Sequence, residues 1–123
     1  MSLFRGEEGA GTVLAAGLAF AMVLLTVLAL GVGQAAVAAS RAATAADLAA
    51  LAAADAYRGL VPGNPCHIAG EVSARHGASL VECTLAGDQS VQVEVTVKMA
   101  LPWPSTGRAR AGPPPDTVLP GVR

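Results

Sequence analysis

No charged residue occurs between Gly9 and Ser40, and from Val13 to Gly33 the chain is almost continuously Leu, Val, Ala, Phe, Met and Gly. At 1.5 Å per residue, a helix of that length crosses a hydrocarbon core of about 30 Å. A membrane span is therefore expected over residues 12–33, preceded by a cytoplasmic segment, residues 1–11. A competing reading makes Gly9–Ala38 a cleaved export signal, with Ala36-Val37-Ala38 as the cleavage site. Its apolar region would run about 18 residues where about 7 to 15 is usual, and its first segment sets Glu7 and Glu8 against Arg5, so the retained anchor is preferred.

The helical signal does not stop at the end of the span. No Pro or Gly occurs from Gln34 to Arg58, and alanine, the strongest helix former, dominates the stretch. An alanine-rich helix projecting from the membrane is expected over residues 34–58. At 1.5 Å per residue, Val13 to Arg58 would be about 70 Å long. At 100° per residue, Ser40, Arg41, Thr44, Asp47, Leu48, Leu51 and Asp55 fall within an arc of about 120°, and alanine covers the rest. Ala38, Ala42, Ala46, Ala50 and Ala54 recur every fourth place, the small-residue spacing that lets helix backbones approach closely. One reading takes alanine simply as a good helix former. The other is a helix built for packing, whose alanine face meets neighbouring subunits while the polar arc faces water or the chain's own domain, with Leu48 and Leu51 docking there. Asp55 and Arg58 read as an exposed ion pair.

Composition limits the remainder. With 53% hydrophobic but only 3% aromatic residues in a chain of 123, an enzyme with a large core is not expected, and a net charge of −1 gives no argument for nucleic acid. Outside the helix and a Pro-rich end, roughly 40 to 45 residues remain to fold, a size that usually needs a disulfide, a metal or a partner.

Those residues, 59–101, read as a small αβ domain. Gly59 suits a left-handed helix cap, and Val61-Pro62-Gly63-Asn64-Pro65 forms a turn. Ile68–His76 fits a short helix closed by Gly77, with His76 as a cation favoured at its C-terminus. Ser79–Leu85 reads as a strand, 86–90 as a hairpin loop, and Val91–Met99 alternates at period two. Parity puts Val81, Cys83 and Leu85 on the core face and leaves Leu80 outward without an explanation. A Cys66–Cys83 bridge would tie the short helix to the sheet, contributing roughly 3 kcal/mol in the chain-entropy model. Zinc on Cys66, His67, His76 and Cys83 is the rival, although the adjacent Cys66-His67 pair lacks the usual ligand spacing; free thiols are the third state. A bridge and a placement outside the cell agree, since both belong to an oxidising compartment.

Glu8-Gly9-Ala10 before the span, and the run Ala45-Ala46-Asp47-Leu48-Ala49-Ala50-Leu51-Ala52-Ala53-Ala54 beyond it, resemble the N-terminal region of TadE/TadG-like proteins of tight-adherence (Flp-type) pilus assembly systems. The resemblance covers about Arg5 to Ala56, with Gly9, Asp47, Leu48 and Leu51 as the matching motif positions. It implies a bitopic, pseudopilin-like or minor-pilin-like envelope protein without catalytic activity. Gly33-Gln34 stands where many members carry an acid, and Val13-Leu14 where a Val-Glu pair is expected. Cleavage after Gly6 or Gly9 would leave Gly11 or Leu14 at the fifth mature position in place of a prepilin's glutamate, so the unprocessed chain is favoured.

No acidic pair, phosphate-binding glycine loop or convincing Cys/His nucleophile is present, so neither catalysis nor a cofactor is expected. Residues 102–123, with six prolines at 102, 104, 113, 114, 115 and 120, read as a disordered tail carrying solvated Arg108 and Arg110, with Trp103 capping the domain's apolar edge. The expected fold class is α+β: one long N-terminal transmembrane helix followed by a small helix-plus-hairpin domain, pseudopilin-like and extracytoplasmic. Two function classes follow. The first is an assembly component in the cell membrane whose partners are other pilin-like subunits or inner-membrane secretion platform proteins, with neither nucleic acid nor a small-molecule substrate. The second is a secreted or membrane-tethered binding module for which residues 9–38 are only an export signal.

Overall fold

The computed structural model describes residues 2–114, with side chains described from residue 9 onward. Helix α1 (Ser2–Tyr57) is followed by α2 (Pro65–Arg75) and by strands β1 (Ser79–Leu85), β2 (Val91–Val97) and β3 (Ser105–Ala111). The strands form one antiparallel sheet in the order β1-β2-β3, and the short helix and sheet pack against the long helix. The fold is α+β with pilin-like topology.

The chain divides into two compact units, one up to Ala35 and one from Ala36 onward. In the first, the described large side chains, among them Leu14, Leu18, Phe20, Leu25 and Leu30, are all exposed. Residues from Gly9 form a helix long and apolar enough to cross a membrane, or to serve as an export signal.

The second unit is bounded by local chemistry at each turn. Helix α1 ends in a Schellman motif: Gly59, at φ 78°, donates to the Ala56 carbonyl and Leu60 donates to that of Asp55. Helix α2 starts three residues earlier than the apolar pattern suggests. Asn64 caps it, its side-chain oxygen accepting from the Cys66 and His67 amides, and Pro65 occupies the first turn with its φ already fixed. Asn64-Pro65 thus opens the helix; it is not part of the preceding turn. A second Schellman motif, with Gly77 at φ 71°, closes α2.

The core is a valine ladder on an alanine stripe. Val91, Val93, Val95 and Val97 line the inner face of β2 and are buried together with Ala42, Ala45, Ala46, Ala49, Ala50, Ala53 and Ala54 of α1. Two expectations about the sheet are corrected. First, β1 carries a register shift between Leu80 and Glu82, so that Leu80 opposes Val95 while Cys83 opposes Val93. The extra residue, Val81, is 59% exposed. The bulge reverses the parity of everything before it, bringing Leu80 onto the core and Val81 out to solvent.

Second, residues 105–111 are not a disordered tail but the third strand, paired with β2 from Ser105↔Val97 to Ala111↔Val91. Its inward positions are Ser105, Gly107, Ala109 and Ala111, too small to read as an apolar strand face. The remainder of the expected tail beyond residue 114 lies outside the described residues.

Candidate functional site

The five alanines singled out for helix packing, Ala38, Ala42, Ala46, Ala50 and Ala54, are all buried. Ala42, Ala46, Ala50 and Ala54 are covered by the chain's own sheet and short helix, which corrects the expectation that this part of the face meets neighbouring subunits. Ala45, Ala49 and Ala53 belong to the same stripe and were missed by the every-fourth-residue count. The combined 42/45/46/49/50/53/54 spacing is the i, i+3, i+4 pattern of a helix lying on a core, and was legible in the sequence.

Leu48 and Leu51 do not dock on the domain; they are 38% and 56% exposed. The physical reason is the closeness of the helix to the sheet. A Cβ on Gly107 of β3 would lie 2.9 Å from the Ala43 amide nitrogen and closer still to the Ala42 carbonyl, so the strand backbone rests on the helix backbone. A leucine on that face would hold the layers apart. Asp47 is exposed beside Leu48, and Gly9 has open space around its Cα. Asp47, Leu48 and Leu51, on which the resemblance to TadE/TadG-like proteins rests, therefore share the outward side of α1. The surroundings of Gly6 lie outside the described residues.

Cys66 and Cys83 are joined by a disulfide with Cα atoms 5.8 Å apart, fixing the first turn of α2 to the middle of β1. The bridge consumes both thiols that zinc or a Cys/His nucleophile would require. His67 lies 3.8 Å from Glu71 on the same helix, and His76 is the C-terminal cap residue of α2. Asp55 and Arg58 form no ion pair among the described residues, because Arg58 already lies in the turn that leaves the helix.

Polar order on the sheet joins residues of the expected hairpin loop and tail, with Glu94 of β2 as a further partner. Arg108 donates to Glu94 at 2.7 Å across the strand pair, and Arg110 donates both to Asp88 at 2.9 Å and to the Ser90 hydroxyl at 3.0 Å. The Ser90 hydroxyl donates in turn to Asp88, which also accepts from the Ser90 amide at 3.2 Å. These bonds, the Ser90 hydroxyl first and its amide next, with Arg110 adding a smaller part, hold the Asp88 carboxyl below the ordinary carboxylate range. A depressed folded-state pKa stabilises above the unfolded value of about 3.9 and that contribution is lost as pH falls through the folded one. The stability difference between the wild type and Asp88→Asn should accordingly be constant above about pH 5 and shrink below pH 4, as acid titration of the unfolding midpoint would show. A difference that grew on acidification would contradict the network.

In the same hairpin, Gln89 adopts φ 61°, a left-handed conformation that glycine takes without cost. Gln89→Gly is expected to raise stability by about 1 kcal/mol, read as a higher thermal midpoint. An unchanged or lower midpoint would mean that the Gln89 side chain itself contributes to the turn.

An open groove of about 490 Å³ lies where α2 ends against α1, lined by Ala36, Val37, Ser40, Arg41, Thr44 and His76. Neither a carboxylate nor a thiol lines it, and nothing in it forms a nucleophile–base pair. Trp103, expected to cap the domain's apolar edge, instead stands 62% exposed in the β2–β3 connection. Compared with protein families, with characterised proteins and with solved structures, the chain shows no significant match.

Proposed function

We propose that the chain is a single-pass membrane protein of pilin-like build, a TadE/TadG-like pseudopilin or minor-pilin component of a Flp-type (tight-adherence) pilus or a related secretion system, without catalytic activity. The observation that carries this reading is helix α1 itself. Its first part is apolar and exposed, and its last part supplies the core face of a small disulfide-bonded domain. An apolar helix exposed in this way needs lipid or other helices around it. In this reading residues 12–33 lie in the cell membrane and the disulfide-bonded domain is extracytoplasmic. Contacts with other pilin-like subunits or with secretion platform proteins run through the exposed apolar segment and through the outward side of α1 that carries Asp47, Leu48 and Leu51. The alanine stripe is already occupied.

Intact mass of the protein from a carbonate-washed membrane fraction tests the anchor. The full-length mass is expected there; a start at Glu7 or Ala10 would indicate prepilin-type processing. Photocrosslinkers at Leu25 and Leu51 should then capture a neighbouring small membrane protein or a second copy, and the absence of any crosslink at either position would remove the assembly role.

One observation favours the second reading, an exported binding module. The compact unit begins at Ala36 and its fully buried alanines begin at Ala42, so cleavage after Ala38 would leave the core face complete. The same mass measurement separates the two, because a soluble chain starting near Ala39 would sink the anchor.

A further inference from the structure

The domain has one end that is built differently from the rest of its surface. Three pieces of chain form it. His76, capping α2, lines the groove with Arg41 of α1, and a Cβ on the next residue, Gly77, would lie 3.9 Å from the Arg41 side chain. Strand β1 leaves from this point and runs antiparallel to α2, since its middle is bonded through Cys83 to Cys66 in the first turn of that helix. Strand β2 therefore returns to this end, where Thr96 opposes Ser79, and β3 leaves it with Gly107 seated on Ala42. The connection 98–104, carrying Lys98 and Trp103, closes the hairpin here.

The stretches 36–44, 72–80 and 95–106 that make up this end contain Arg41, Arg75, His76 and Lys98, and no acidic residue. Among the described residues Arg41, Arg75 and Lys98 make no ion pair, whereas Arg108 and Arg110, elsewhere on the sheet, are both paired. Trp103, held between Pro102 and Pro104, presents an indole to solvent, an arrangement that is costly in water and favoured at a membrane–water interface. Ala36, the first residue of this end, follows Gly33, the last residue of the apolar run, by only three residues in the chain.

We propose that this end of the domain docks on the anionic headgroups of the membrane in which the chain is anchored, with Arg41, Arg75 and Lys98 meeting lipid phosphates and Trp103 entering the interface. The proposal rests on the anchored reading above. Each cation near a negatively charged leaflet adds to the attraction, and the short tether keeps the effective concentration of headgroups high.

Trp103 is the single tryptophan of the chain, so its fluorescence reports on this end alone. The full chain is reconstituted into vesicles of phosphatidylcholine, with or without a minor share of phosphatidylglycerol, the lipids carrying bromine on their acyl chains. Quenching by about twofold or more is expected in the anionic vesicles. It should weaken in phosphatidylcholine alone, and in the Arg41→Gln/Arg75→Gln/Lys98→Gln variant the docked fraction should fall on the order of tenfold. The variant must retain its disulfide by mass and its wild-type melting temperature. A chain that floats with the vesicles while Trp103 stays unquenched would overturn the docking and leave the anchor standing. A chain that does not float overturns both. Quenching that ignores lipid charge and the triple variant, or an emission shift that follows protein concentration and not lipid, would also overturn the proposal, the last pointing to a second copy as the occupant.

Discussion

Gly107→Ala is expected to cost about 3 kcal/mol or more, and Gly107→Val to abolish folding of the domain. The added Cβ would meet the backbone of α1 at Ala42 and Ala43, not the end of a side chain that can rotate away. Relief would require lifting β3 from the helix, which opens the valine–alanine core along its length. A domain this small has roughly 5 kcal/mol to lose. Gly87→Ala is the matched control, since a Cβ there meets nothing within 4 Å; its effect should stay within about 0.5 kcal/mol. Thermal unfolding of the full chain in detergent, followed by Trp103 fluorescence, measures both. Equal midpoints for the two alanine variants would show that β3 does not lie on the helix as described.

Removing the Cys66–Cys83 bridge, by reduction or as Cys66→Ser/Cys83→Ser, should cost about 3 kcal/mol, as the chain-entropy model gives for a loop of this length. For a unit of this size that is a fall of roughly 12 to 24 °C in melting temperature. The two single variants should match the double, because either one alone opens the loop. The effect is large because α2 has little else to hold it: Ala69 and Ser73 are its only fully buried positions among the described residues, with Val72 partly packed on the core. A double variant melting within about 2 °C of the wild type would mean that α2 is held by packing alone.

Much of this architecture was legible in the residues. The long helix followed from a charge-free apolar run up to Ser40 and from the absence of Pro and Gly between Gln34 and Arg58, β2 from strict alternation, and the bridge from two cysteines in a domain too small to fold without help. What was hidden has a common cause. Because α1 lies so close to the sheet, the inward positions of β3 are small, and the strand accordingly reads Ser-Thr-Gly-Arg-Ala-Arg-Ala, with Thr106 its one β-branched residue and no apolar alternation to announce a strand. The same closeness turned the alanine stripe inward and left Leu48 and Leu51 outside. The bulge at Val81 was invisible for a different reason: a single inserted residue leaves local composition unchanged and shifts only the phase, so Leu80 read as an anomaly until its partner Val95 was known. Of the two proposed interaction surfaces, the apolar segment was evident from the sequence. The cation-rich end with Trp103 was not, since its three pieces are separated in sequence and meet only through strand pairing and the cap of α2.

The alanine–valine core also sets how the domain responds to temperature. Methyl groups and short branched side chains remove little apolar area from water per residue, and the heat capacity of unfolding scales with that area. The domain should therefore unfold with a heat-capacity increment at or below the low end of the usual range of about 12–15 cal/mol/K per residue. Its stability curve is then shallow, varying little between cold and warm, and its resistance to heat depends more on the covalent bridge than on any growth of the hydrophobic term.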